Sequence, residues 1–256
     1  MAGEATALVV QNGPHGGPGR WSGWLAEGGV GMDVVRADAG EALPERLEHQ
    51  ALVVLGGGYL PGDDTRAPWL AGARALMRQA LERDVPVFGI CLGGQMLAQV
   101  AGGAVAGEHG EPEFGSTQLT LRQEAADDPL FRELPQRPKA VENHVDAIVR
   151  LPDGAHWLAS SEKCAHQAFR VGECAWGVQF HPEAAARNIA RWSTARLERY
   201  GVDRDALHRA ALRDDREAAR VWRQVALRFA ARVRGGRERG GREQCGRGQG
   251  STDGAR

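Results

Sequence analysis

The residue best suited to chemistry is Cys91, which lies in the segment Gly89-Ile-Cys-Leu-Gly-Gly-Gln95. An apolar run precedes it and helix-forming residues follow, so we expect the cysteine at a tight strand-to-helix turn. Glycines two positions to either side leave room for the strained backbone of such a turn. A helix N-terminus favours the thiolate form of a cysteine. The segment therefore predicts a cysteine nucleophile; the alternative is a small buried cysteine in a glycine-rich turn.

A histidine and a carboxylate suited to assist this cysteine occur in the segment Gln179-Phe-His-Pro-Glu183. A thiolate nucleophile needs a histidine to move protons and a third group to orient the imidazole. If the strand period of two continues past Phe180, His181 and Glu183 project in the same direction. The two segments together predict a Cys91–His181–Glu183 triad.

The elements that must position these residues follow an α/β pattern in the first half of the chain. A helix is predicted over 68–83 from apolar residues at three- and four-residue spacing, with Pro68 in its first turn, and a second helix over 94–101. Alternation of helices with continuous apolar strands indicates a three-layer fold, with a mostly parallel central sheet and helices on both faces. Buried strands are predicted at 7–11, 33–35, 51–55 and 85–90.

The second half of the chain shows shorter strands and then helix. Gly172 and Glu173 have the pattern of a two-residue turn that joins the last two strands as a hairpin. The short strands are predicted at 117–121, 139–141, 157–159, 165–171 and 174–180. One apolar helical face is predicted after them, formed by Ala218, Val221, Trp222, Val225 and Phe229.

These patterns divide the chain into a domain over 1–200, a C-terminal helical extension over 201–233 and an Arg/Gly-rich tail over 234–256. The tail has no large apolar residue to anchor a core, so it is predicted to be disordered. The apolar stripe of the extension is expected to pack against its own domain. The alternative is docking onto a synthetase or a second copy of the chain.

Composition excludes several functions. The 256 residues carry a formal charge of −1 and are 42% hydrophobic, which predicts no binding to nucleic acid or to an anionic membrane. No apolar run reaches the roughly 18 residues of a membrane span and no secretory signal begins the chain, so a cytoplasmic location is expected. The two lysines, Lys139 and Lys163, follow proline and glutamate rather than glycine, which excludes a P-loop. The four cysteines form no CxxC pair, and no metal site is expected.

The motifs G-I-C-L-G-G-Q and G-V-Q-F-H-P-E, about ninety residues apart, resemble those of the class I (triad-type) glutamine amidotransferase family, including the amidotransferase domain of GMP synthases. The likeness runs from about Ala7 to about Arg191. Leu55-Gly-Gly-Gly58 matches the family's oxyanion-loop motif, although Gly58 stands where the family usually has proline. The segment Glu142-Asn-His-Val-Asp146 is similar to a histidine-containing loop near the site of GMP synthase-like members.

The resemblance implies a class I glutamine amidotransferase-like, flavodoxin-like fold and a glutaminase activity without a cofactor. Cys91 would form a γ-glutamyl thioester with glutamine, His181 would transfer protons and Glu183 would orient His181. The backbone N–H groups of Gly57 and Leu92 would bind the oxyanion. Further substrate contacts are expected from Gln95, Glu113, Gly115 and His144.

The resemblance also implies a partner, because this chain lacks the Ser-Gly-Gly-Val-Asp-Ser type of signature of an ATP pyrophosphatase. Ammonia would pass to a synthetase or acceptor-enzyme subunit, and the oligomeric state stays open. Two alternatives differ in activity. One is a γ-glutamyl hydrolase or peptidase that acts on another γ-glutamyl compound by the same thioester. The other is a catalytically silent regulatory subunit, which the intact triad residues disfavour.

Overall fold

An eight-stranded sheet forms the centre of the computed structural model, which describes the backbone of residues 5–246 and side chains as far as residue 235. The helices are α1 Arg20–Glu27, α2 Trp69–Glu82, α3 Leu92–Val100, α4 Thr194–Glu198 and α5 Arg204–Gly246, with short 3-10 helices at Ala37–Ala39, Gln123–Ala126 and Ala186–Arg191. The strands are β1 Ala5–Gln11, β2 Val30–Arg36, β3 Ala51–Val54, β4 Val87–Ile90, β5 Ala104–Ala106, β6 Glu113–Gln118, β7 Thr120–Leu121, β8 Lys139–His144, β9 Ala147–Arg150, β10 His156–Ser160, β11 Ala168–Val171 and β12 Ala175–Val178.

The central sheet has the strand order β2-β1-β3-β4-β12-β11-β10-β7. The first five strands run parallel, and the last three extend the sheet by antiparallel pairing. Strands β5 and β9 form a separate antiparallel pair, as do β6 and β8. Because the carboxyl ends of β3, β4 and β12 meet at one edge, the loops that follow these strands are brought together there.

Helices cover both faces of this sheet, which confirms the predicted three-layer fold. On one face, α2 and α3 pack their apolar side chains against β1, β3 and β4. On the other face, α1 and α5 pack against the same sheet through a group of aromatic rings. In that group Trp21 of α1 lies 4.3 Å from Phe88 of β4, and Phe229 of α5 lies 5.6 Å from Phe88, measured between ring centroids.

The predicted apolar stripe of the C-terminal helix lies against its own domain. Val221, Trp222, Val225 and Phe229 are buried in the core, and Ala218 is partly buried beside them. The backbone of α5 continues to Gly246, so it overlaps the tail predicted from residue 234, and residues 247–256 lie outside the described part of the chain. The domain boundaries themselves stay a prediction.

Several local elements differ from the sequence prediction, and strands β5 and β9 were not predicted. Helix α1 follows a glycine-proline loop and was not predicted, because its eight residues give only a short amphipathic pattern. Three residues, 172–174, separate β11 from β12, so the hairpin turn is one residue longer than predicted. Helix α3 begins at Leu92, directly after Cys91, rather than at Gly94.

Among the described residues, no helix is both long and apolar enough to cross a membrane.

Candidate active site

Cys91 lies at the turn between β4 and α3, as the first motif predicts. Its backbone φ is 50° and ψ is −108°, a conformation that costs a non-glycine residue on the order of 1–3 kcal/mol. Its N–H donates to the carbonyl of Val178 at 2.8 Å, and its carbonyl accepts from Gln95 N–H at 2.9 Å. A Cβ atom at Gly93 would lie 2.0 Å from the carbonyl oxygen of Val54, so α3 can start this close to β3 only without a side chain there.

His181 and Glu183 do not lie on an extended strand, although the period-two prediction assumed that they do. Strand β12 ends at Val178, and His181 begins a turn in which the Ala184 N–H donates to the His181 carbonyl at 3.2 Å. The backbone N–H of His181 donates to the carbonyl of Val141 on β8 at 2.8 Å. The turn nevertheless brings His181 Nδ1 to 2.8 Å from Glu183 Oε1.

His181 and Cys91 face each other across Gly56. A Cβ atom at Gly56 would lie 2.8 Å from His181 Cε1 and 3.4 Å from Cys91 Cβ, so a side chain at this position would enter the space between them. Burial alone would lower the pKa of His181, but the negative charge of Glu183 and the interaction with Cys91 outweigh it and hold that pKa well above its usual range. The arrangement therefore stabilises a charged imidazolium beside the cysteine.

The glycine loop after β3 is held by Asn12, a residue that the sequence reasoning missed. Asn12 is fully buried, and its Nδ2 donates to the carbonyl of Leu55 at 2.8 Å while its Oδ1 accepts from Trp69 Nε1 at 3.1 Å. A Cβ atom at Gly57 would lie 2.9 Å from Leu92 Cδ2, so the loop runs against the start of α3. The available signal was a polar side chain directly after a buried strand.

Gln95 lies inside the protein and not on a helix surface. It is 2% exposed, and its Nε2 is 3.3 Å from both the Asp146 carbonyl and Gln179 Oε1. Gln179 is fully buried, and its Nε2 approaches Cys91 Sγ at 3.9 Å. A line of amides thus leads from α3 to the cysteine, and Gln179 is a second residue that the sequence reasoning did not single out.

Glu113 and His144 form part of a buried polar cluster beside this line. His144 Nε2 lies 3.2 Å from Glu113 Oε2, which also accepts from Ser161 Oγ at 2.9 Å and from Gln167 Nε2 at 2.7 Å. Glu113, His144 and Cys164 offer ligand atoms within 4.8 Å of one another. Burial, which disfavours the thiolate, raises the pKa of the Cys164 thiol to about 12. Cys164 is thus a neutral thiol beside the hydrogen-bonded Glu113 and His144.

Two further residues lie near this cluster. Gly115 has a positive φ of 86°, and a Cβ atom there would lie 2.8 Å from Leu207 Cδ2 of α5. Glu142 is fully buried next to His144, and within the described part of the chain neither of its side-chain oxygens has a hydrogen-bond partner. Burial, reinforced by the charge of Glu113, holds the pKa of Glu142 well above its usual range. Burial thus favours the neutral form of Glu142, which lies close to the candidate triad.

Curated relatives of this chain include GMP synthases [glutamine-hydrolyzing]. The enzyme from Aeropyrum pernix is 36% identical over 167 residues, which cover 65% of this chain and 31% of the relative. The enzyme from Porphyromonas gingivalis is 38% identical over 146 residues, which cover 55% of this chain and 26% of the relative. The chain therefore spans less than a third of the length of these relatives.

Solved structures and a family model agree with these relatives. A glutamine amidotransferase from Thermotoga maritima has a TM-score of 0.79 at 28% identity and covers 89% of this chain and 99% of its own. One from Methylobacillus flagellatus has a TM-score of 0.76 at 27% identity, covering 91% and 96%. The family model described as glutamine amidotransferase class-I matches residues 24–191, and the chain belongs to that family.

Proposed function

We propose that this chain hydrolyses the side-chain amide of glutamine to glutamate and ammonia, with Cys91 as nucleophile, His181 as acid and base, and Glu183 as the group that orients His181. The observation that carries the proposal is the 2.8 Å contact between His181 Nδ1 and Glu183 Oε1, formed beside a cysteine at the N-terminus of α3. Membership of the class I glutamine amidotransferase family supports it.

In the first half of the proposed reaction, the Cys91 thiolate attacks the amide carbon of glutamine. The carbonyl oxygen becomes an oxyanion, which the N–H groups of Gly57 and Leu92 stabilise; loss of one such donor typically costs on the order of 10²–10³ in rate. His181, charged because its pKa is raised, gives its proton to the leaving nitrogen. The C–N bond breaks, ammonia leaves, and a γ-glutamyl thioester remains on Cys91.

In the second half, water replaces ammonia. The neutral imidazole of His181 takes a proton from water as the oxygen attacks the thioester carbon. The C–S bond then breaks, glutamate leaves, and the thiolate and imidazolium are restored. Glu183 accepts a hydrogen bond from Nδ1 throughout, so the other ring nitrogen is the one presented to the reacting atoms.

The residues proposed to bind the substrate are Gln95, Glu113, Gly115 and His144. Gln95 has the strongest support, because its buried amide lies in the line that reaches Cys91 through Gln179. Glu113 and His144 are joined to each other and lie behind that line, since His144 Nδ1 and Gln95 Nε2 both approach the Asp146 carbonyl. Gly115 has the weakest support, because its open side is filled by Leu207 of α5.

The ammonia is proposed to pass to a synthetase or another acceptor enzyme. The curated relatives are named for GMP synthesis with hydrolysis of glutamine, and this chain matches less than a third of their length. The region matched by the family model, residues 24–191, contains the candidate triad, and more than two thirds of each relative's length lies outside its match to this chain. A nucleotide-forming synthetase is accordingly the proposed partner.

Ammonia release from glutamine tests the proposed function. We expect release by the wild-type chain and a loss on the order of 10⁴-fold or more in Cys91→Ala. Cys174→Ala is the matched control, because Cys174 is also buried but donates only to the carbonyl of Asp84, and it should keep wild-type activity. Equal release by the wild type and Cys91→Ala would contradict the role of Cys91.

A further inference from the structure

The C-terminal helix α5 reaches the turn that carries Glu183. Asp215 of α5 contacts two groups on either side of this turn: its Oδ2 accepts from Arg20 Nη2 at 2.5 Å, and its Oδ1 accepts from the backbone N–H of Ala186 at 2.8 Å. Both side chains of the ion pair are largely shielded from solvent, at 17% exposure for Arg20 and 28% for Asp215. The region matched by the family model ends at residue 191, so Asp215 lies outside it.

Arg20 connects this carboxylate to the backbone of Glu183 itself. The N–H of Arg20, at the start of α1, donates to the carbonyl of Glu183 at 2.9 Å. The approach is so close that a Cβ atom at Gly19 would lie 2.4 Å from that carbonyl oxygen, and Gly19 has a positive φ of 52°. The backbone of Glu183 is thus fixed by α1, and the side chain of Arg20 is fixed in turn by Asp215.

Other residues of α5 hold the neighbouring half of the same turn. Trp222 packs on Phe180, with ring centroids 4.5 Å apart, and its Nε1 donates to the carbonyl of Lys139 on β8 at 2.9 Å. Strand β8 also supplies the Val141 carbonyl that binds the His181 N–H. Helix α5 therefore contacts the chain just before His181 and just after Glu183. Between residues 204 and 235, where its side chains are described, it makes no hydrogen bond to the His181 or Glu183 side chain.

We infer that Asp215 is a positioning residue for the triad: through Arg20 and Ala186 it holds the 183–186 turn so that Glu183 Oε1 stays at hydrogen-bond distance from His181 Nδ1. The inference rests on the proposed function for its kinetic consequence. Its structural content is independent of the substrate, because it concerns only the imidazole and carboxylate of this chain. The C-terminal helix is accordingly a part of the catalytic unit.

The kinetic test is a double-mutant cycle between Asp215→Ala and Glu183→Gln. A displaced Glu183 should lower kcat for ammonia release on the order of tenfold to a hundredfold in Asp215→Ala, with KM nearly unchanged. If Asp215 acts through Glu183, adding Asp215→Ala to Glu183→Gln should change the rate little, because the interaction is already lost. Losses that multiply fully in the double variant would overturn the inference.

The second readout is the pH dependence of Cys91 alkylation by iodoacetamide, which needs no substrate. With Glu183 displaced, the pKa of His181 loses the support of its carboxylate and the imidazolium beside Cys91 is lost at lower pH. We expect the midpoint of the alkylation profile to shift in Asp215→Ala in the same direction as in Glu183→Gln. An unshifted profile in the folded variant would overturn the inference, and a shift would uphold it even if the chain released no ammonia from glutamine.

Arg223→Gln is the matched control. Arg223 of α5 also pairs with a residue of α1, Glu27, but both side chains are nearly half exposed and neither contacts the 183–186 turn. It should leave kcat and the alkylation profile at wild-type values. Asp215→Asn and Arg20→Met break the same ion pair with smaller changes of volume, so they replace Asp215→Ala in both readouts if the alanine variant does not fold.

Discussion

The turn that carries Cys91 and the turn that carries His181 and Glu183 meet at one edge of the sheet, but they are held in different ways. The cysteine turn is fixed by its own strand and helix, with glycines at the points where α3 touches β3 and β12. The histidine turn has no regular structure of its own. Its N–H groups donate to the carbonyl of Val141 on β8 and to the carboxylate of Asp215 on α5, and its Glu183 carbonyl accepts from the N–H of Arg20 on α1.

Substitutions in the two turns should therefore have different effects. A change in the cysteine turn should act on folding, because backbone atoms of buried elements have to move apart. A change around the histidine turn should act on the reaction first, because each support is one polar contact near the surface of the core.

The largest effect is expected from Gly93→Ala in the cysteine turn. Its new Cβ atom would lie 2.0 Å from the Val54 carbonyl oxygen, so α3 and β3 would have to separate. We expect a loss of about 3 kcal/mol or more in the free energy of unfolding, measured by urea denaturation. Gly23→Ala in α1 is the control: its Cβ meets nothing within 4 Å, and the fold should become slightly more stable. Equal free energies of unfolding for Gly93→Ala and Gly23→Ala would contradict the claim that substitutions in the cysteine turn act on folding.

Glu183→Gln should act on the reaction and leave the fold in place. The amide keeps the size of the side chain but removes the charge that supports the imidazolium, so kcat should fall on the order of 10²–10⁴-fold. The melting temperature should change by only a few degrees. Ammonia release in a stopped assay measures kcat, and thermal unfolding of the same sample measures the melting temperature. Unfolding of this variant at room temperature would remove the distinction between the two turns.

The same contrast explains what could be predicted from sequence. The cysteine turn, its flanking elements and the parallel sheet follow from apolar runs and glycine spacing within short segments. The pairing of His181 with Glu183 was predicted for an extended strand, whereas the structure forms it in a turn. The supports of that turn come from distant residues, Arg20, which is 163 positions before Glu183, and Asp215, which is 29 positions after Ala186, and no local pattern reports them.

The sequence also did not predict which polar residues are buried near the candidate site. Asn12 and Gln179 were visible only as polar residues near strand ends, and Glu142 only as the first residue of the loop 142–146. Their contacts depend on which loops the sheet brings together, which a single sequence does not specify. Helix α5 shows the converse: its apolar stripe was predicted correctly, but its polar contacts to the active-site turn required the structure.

Glu142→Gln should stabilise the fold in a pH-dependent way. The folded pKa of Glu142 is raised by burial, so this residue favours folding below its unfolded pKa, and that contribution is lost as pH rises toward the folded pKa. Each pKa unit of difference is worth about 1.4 kcal/mol. We therefore expect a gain of about 1 kcal/mol or more near neutral pH and little change below about pH 4. Urea denaturation at several pH values measures it.

Asp128 provides the contrast for that experiment. It is also buried, but it accepts hydrogen bonds from Arg170 Nε at 2.8 Å, from Trp176 and from two backbone N–H groups. Asp128→Asn should destabilise the fold by about 3 kcal/mol, because Arg170 is left without its partner. A Glu142→Gln variant that is destabilised to the same degree near neutral pH would show that Glu142 is charged in the folded protein.

The smallest effect is expected from Gly58→Ala in the glycine loop. A Cβ atom there meets nothing within 4 Å, so the substitution should raise the free energy of unfolding by about 0.4–1 kcal/mol through the unfolded state. Ammonia release should stay near the wild-type rate. The neighbouring Gly57→Ala should instead lower that rate, because its Cβ would press on Asn12 and Leu92 at 2.9 Å. Equal rates in the two variants would argue against Gly57 as an oxyanion donor.

The most direct test of the central claim is to trap the acyl intermediate. The chain is mixed with radiolabelled glutamine, quenched in acid during turnover, and digested for peptide mapping. We predict one labelled peptide, which contains Cys91 and loses its label on treatment with hydroxylamine, as a thioester does. A label on Cys164 or Cys174 would contradict the account. So would turnover of glutamine with no labelled peptide, provided that a variant expected to hydrolyse the thioester slowly, such as Glu183→Gln, also stays unlabelled.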